Sequence, residues 1–94
     1  MGLSKHDEIA KRIAKKEGTE YNKGKGPDIK TSQRVIEVAT HEGDLRESVK
    51  QVQGFQKPRY LATTPKLKSK ALEITDGTKI GVMGPTGHIV KRAR

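Results

Sequence analysis

The sequence predicts an α/β protein with a mixed central sheet flanked by helices. Two observations carry this. Segments with apolar residues at helical spacing alternate with short runs rich in Val, Ile and Thr. Gly, Pro and Asp-Gly breaks separate the two kinds of segment. The expected order is α-β-β-β-α-β-α-β-β.

The first helix is expected over residues 5–17. Ser4 is a good N-cap, and Asp7 stands at the N3 position of a capping box. Ile9, Ala10, Ile13 and Ala14 form one apolar stripe, and Gly18 is a natural stop. Thr19 to Asn22 reads as a short strand. Lys23-Gly24-Lys25-Gly26 reads as a basic loop able to contact a phosphate, although it lacks the spacing of a Walker loop. Asp28-Ile29-Lys30 and Val35-Ile36-Glu37-Val38-Ala39 read as two strands joined by a polar turn.

The next helix is expected over residues 44–53, capped by Asp44, with Leu45, Val49 and Val52 inward and Gly54 at its end. Arg59 to Thr63 is a strand. Thr64-Pro65 starts a third helix with Leu67, Ala71 and Ile74 on its apolar side and Lys66, Lys68 and Lys70 on its basic side. Lys79 to Met83 and His88 to Lys91 form a final hairpin around Gly84-Pro85-Thr86-Gly87, with a frayed basic tail beyond.

Composition narrows the function. Ninety-four residues make one small domain. The chain has no cysteine, hence no disulfide or thiolate metal site. It shows no apolar run of membrane length and no signal-peptide pattern, so it reads as soluble and cytoplasmic. Twenty Lys and Arg against eleven acids give a net charge of +9, which points to a polyanionic partner, above all nucleic acid. The only aromatic residues are Tyr21, Phe55 and Tyr60, which argues against a base-stacking platform. His6, His41 and His88 lie on different elements and lack zinc-site spacing.

The strand pair at residues 28–40 carries the most chemistry. A turn of two or four residues centred between Ser32 and Gln33 sets Ile29 opposite Ile36 and Asp28 opposite Glu37. Alternation then puts Ile29, Ile36 and Val38 on one face and Asp28, Lys30, Glu37 and Ala39 on the other. Facing carboxylates about 5 Å apart at Cβ repel each other. Either a cation sits between them, as Mg²⁺ does with one or two carboxylates, or the register slips by one and both acids are solvated.

Pro27-Asp28, eight intervening residues and Glu37-Val38-Ala39 resemble the signature of the PD-(D/E)XK nuclease superfamily. That resemblance implies the restriction-endonuclease-like fold, a three-layer core with a mixed central sheet, covering residues 4 to about 63. It implies Asp28 and Glu37 as ligands of Mg²⁺ or Mn²⁺, with Glu8 on the first helix in support. It implies Gln51 near the active site, where Gln51 to Phe55 resembles the family's Gln-x-x-x-Tyr element. The family's lysine, two residues beyond the Glu, is Ala39 here. Lys30 and Lys50 are the candidates for a displaced lysine, and Arg46 for charge stabilisation. The expected activity is hydrolysis of DNA phosphodiesters. The alternatives are a non-catalytic nucleic-acid-binding module on the same fold, or a small partner of an acidic protein. Lys23, Lys25, Arg46, Lys50, Lys66, Lys68 and Lys70 are the expected phosphate contacts. A homodimer would add stability to so small a chain.

Overall fold

The computed structural model describes residues 4–22 and 27–94. Eight main elements follow one another: α1 (Lys5–Glu17), β1 (Ile29–Lys30), β2 (Val35–Ala39), α2 (Glu42–Gln53), β3 (Arg59–Thr63), α3 (Lys68–Thr75), β4 (Gly81–Met83) and β5 (Ile89–Lys91). A single 3₁₀ turn at Pro65–Leu67 leads into α3. The five strands form one mixed sheet in sequence order. β1 and β5 pair antiparallel at the edges, while β2, β3 and β4 run parallel. Parallel neighbours need crossovers, and α2 and α3 supply them.

The turn before β2 sets the register. Thr31 donates its N–H to Arg34 O at 2.9 Å, and its hydroxyl oxygen accepts from the N–H groups of Gln33 and Arg34. Four residues therefore separate the strands, and Ile29 pairs with Ile36 and Lys30 with Val35, as expected. Period-two alternation then sorts the side chains. Ile29, Ile36 and Val38 join Ile9, Ala10, Ile13 and Ala14 of α1 in one core. Val35 and Ala39 join Leu45, Val49 and Val52 of α2, with Leu61, Ala71, Ile80 and Val82, in the other. The sheet is thus covered by α1 on one face and by α2 and α3 on the other. Among the described residues no helix is long and apolar enough to cross a membrane.

Four expectations are corrected. Thr19–Asn22 is not a strand, so the order is α-β-β-α-β-α-β-β. Asn22 N–H reaches Asp28 O at 2.8 Å, but Thr19 N–H turns back to Ala14 O, so no ladder develops. α2 begins at Glu42 rather than Asp44, with His41 as an N-cap that lends no side-chain bond. β4 begins at Gly81 rather than Lys79. The last two residues are tied down: Ala93 N–H donates to the Tyr60 hydroxyl at 3.2 Å and Arg94 N–H to Lys79 O at 3.0 Å.

Candidate carboxylate site

Asp28 immediately precedes β1, so the register carries it to the position facing Glu37. Both residues are buried, at 9% and 7% exposure. The backbone knits them together. Asp28 N–H donates to Glu37 Oε1 at 3.3 Å, and Val38 N–H donates to Asp28 Oδ2 at 2.9 Å. Burial pushes the Glu37 carboxyl up to about 9, and the hydrogen bond to Asp28 and its charge push the same way. Of the two carboxyls, Glu37 is the one whose surroundings favour the protonated form.

A second layer comes from α1. His6 places Nε2 3.1 Å from Asp28 Oδ2 and Nδ1 3.5 Å from Asp7 Oδ1. The Tyr21 hydroxyl donates to Asp7 Oδ1 at 2.9 Å and lies 3.3 Å from His6 Nδ1. The bond from Tyr21 is the main reason the Asp7 carboxyl lies below its ordinary value. Burial first, and then that same bond, raise the Tyr21 phenol. The Asp7 carboxylate is thus committed to Tyr21, while Ser4 caps the helix through Asp7 N–H at 3.1 Å. Only half of the expected capping box forms.

The remaining candidates are dispersed. Glu8 is exposed on α1 and makes no hydrogen bond to the pair. Gln51 is exposed on α2. The Lys30 ammonium lies over the Phe55 ring, 5.3 Å from its centroid, and is committed there. Ala39, where the resemblance would have a lysine, is fully buried in the α2 core, and its carbonyl accepts from the Thr63 hydroxyl at 2.6 Å. Arg46, Lys50, Lys66 and Lys68 are exposed, and half-exposed Lys70 lies 3.7 Å from Glu42 and 3.9 Å from Glu73. Lys23 and Lys25 lie outside the described residues.

His6, Asp7 and Tyr21 are the site residues that the sequence reading misses. His6 carries a legible signal. Positions 6, 9, 10 and 13 share one helix face, so His6 extends the apolar stripe by one polar residue toward the sheet.

The donor chemistry fits a hard divalent cation. Two buried carboxyl groups face each other, and burial beside Asp28 disfavours the charged form of Glu37, a cost that a cation between them would offset. Among the described residues no three His, Cys, Asp or Glu side chains form a ready-made metal cage. Holding an ion here would therefore depend on the two carboxylates, with water or phosphate oxygens completing the shell, which is the usual manner of Mg²⁺. No family model, no curated protein and no solved structure matches the chain.

Proposed function

We propose that this protein is a metal-dependent nuclease-like protein that acts on the phosphodiester backbone of DNA, with Asp28 and Glu37 holding Mg²⁺ or Mn²⁺. The observation that carries the reading is the buried, register-enforced facing of two carboxyl groups. Burial beside Asp28 favours the protonated form of Glu37, and a bound cation would offset the same cost. An ion at the pair would supply a polarised phosphate and a more acidic water. The protein's own part is orientation. Val38 N–H and His6 fix Oδ2 of Asp28, and Tyr21 and Asp7 fix His6.

One observation favours a second reading, a nucleic-acid-binding module without catalysis on the same fold. Ala39 leaves the usual proton-handling position apolar, and Lys30 is engaged by Phe55. The test is thermal denaturation with and without Mn²⁺, together with cleavage of supercoiled DNA. The parent should gain stability with Mn²⁺, by about 2.7 kcal/mol at a hundredfold excess over Kd. Asp28→Asn with Glu37→Gln should abolish that gain. A gain without cleavage selects the binding module. No gain at all makes the pair structural.

A further inference from the structure

Sequence reading distributes the phosphate contacts over the loop at residues 23–26, α2 and the lysines around α3. In the structure α2 and α3 cover one face of the sheet, whereas the element that reaches Asp28 is α1, on the other. Lys70, moreover, already faces Glu42 and Glu73.

An open groove of about 450 Å³ runs along α1, lined by Lys11, Ala14, Lys15, Thr19, Glu20 and Tyr21. Lys11 and Lys15 are exposed and, among the described residues, neither forms an ion pair with an acid. They stand one helical turn apart, about 5–6 Å between Cβ atoms, a spacing suited to successive phosphates of one strand. Tyr21 joins the groove to the site. Its hydroxyl bonds Asp7 and meets His6, and His6 bonds Asp28. The groove and the carboxylate pair are therefore separated by one hydrogen-bonded layer.

We propose that this α1 groove is the track along which the phosphate backbone of duplex nucleic acid approaches the carboxylate pair, with Lys11 and Lys15 as its contacts. The proposal rests on the nucleic-acid reading of the preceding section. The lining favours a duplex backbone. The Tyr21 hydroxyl is engaged within the protein, so the ring is held as a wall rather than offered as a stacking platform. Three of its six lining residues, Lys11, Lys15 and Thr19, offer donors to a phosphate. Glu20 is the one acid in the lining, and it opposes a phosphate.

The experiment is fluorescence anisotropy of a short labelled duplex in EDTA over a series of salt concentrations. The proteins are the parent, Lys11→Gln with Lys15→Gln, Lys66→Gln with Lys68→Gln and Lys70→Gln, and Glu20→Gln. Glutamine is a good helix former, and circular dichroism verifies folding. Loss of two phosphate contacts should make the slope of log affinity against log salt shallower by about two and weaken binding about tenfold or more at low salt. The α3 triple variant should lose less, and Glu20→Gln should bind more tightly. Unchanged affinity in the Lys11/Lys15 variant, with a large loss in the α3 variant, overturns the groove and leaves nucleic-acid binding standing. Displacement of the duplex by polyglutamate of matched charge, as effectively as by unlabelled DNA, assigns the groove to acidic peptides and overturns it too. A parent without salt-dependent binding overturns the nucleic-acid reading itself. Because EDTA removes metal chemistry from the assay, failure of cleavage does not affect these outcomes.

Discussion

A carboxyl group buried beside another carboxylate stays in place by keeping a proton or by sharing a cation. Glu37 is pushed up to about 9 from an ordinary 4.5, by burial first and by Asp28 second. The sign of the pH dependence follows. A raised folded-state value means that the folded chain binds the extra proton between those limits, so stability is fully present below 4.5 and is lost as pH rises through about 9. Thermal melts of the metal-free parent should fall steadily from pH 5 to pH 9. Glu37→Gln removes the titration, so its melts should be flatter. At pH 8 it should be the more stable of the two. It should also no longer respond to Mn²⁺. Parallel pH profiles for parent and variant would show that Glu37 is not buried against Asp28. Tyr21→Phe makes a second prediction at this scale. With the phenolic donor gone, the Asp7 carboxyl should rise toward its ordinary value, and a side-chain NMR titration reads that shift directly.

Among the elements, those whose signals are local are the ones the sequence makes legible. β2 is a β-branched run, and the Thr31–Arg34 turn fixes its register through its own hydroxyl and backbone bonds. α1 is bounded by Ser4 and by Gly18, which takes φ 75° and donates its N–H to Ala14 O and Lys15 O. The facing of Asp28 and Glu37 follows from that register and is legible with it. The His6 layer is not, because it arises where α1 crosses the sheet edge 22 residues away from Asp28 in sequence. The residues at 19–22 have strand composition, but Tyr21 turns its side chain to α1 and Thr19 N–H turns back to Ala14 O, so the bond from Asn22 N–H to Asp28 O is not continued as a strand. Gly81 illustrates a close approach that only packing reveals. A Cβ there would collide with Lys91 O, the Tyr60 ring and Ala93 N. Two of those three obstacles are backbone atoms, and such overpacking costs about 1–3 kcal/mol. Gly81→Ala should therefore lower the unfolding free energy by that amount and bring down the urea midpoint, and an unchanged midpoint would mean that β4 and β5 separate freely.

At the scale of the whole molecule, β3 lies at the centre of the sheet and both cores meet on it: Tyr60 and Ala62 face α1, while Leu61 faces α2. Tyr60 makes this strand a junction. Its ring lies 5.5 Å from the Arg34 guanidinium, and Arg34 in turn pairs with Glu17 at 3.4 Å, so the end of α1, the start of β2 and β3 are joined. Its hydroxyl accepts from Ala93 N–H, Ala93 packs against the α1 core, and Arg94 N–H closes onto Lys79 O. The last residues thereby clasp β3 to the segment entering β4. A frayed basic tail would make no such bonds. Removing residues 92–94 deletes two backbone donors to protein acceptors, each worth about 0.5–1.5 kcal/mol net. A loss of about 1–3 kcal/mol in urea denaturation is therefore expected, without a change in the helical signal of the folded state. Tyr60→Phe removes one of those two bonds and keeps the ring over Arg34, so it should lose roughly half as much. Combining it with the deletion should add little, because both act on the Tyr60–Ala93 bond. Full additivity of the two changes, or no loss on deletion, would show that the tail does not hold the sheet together.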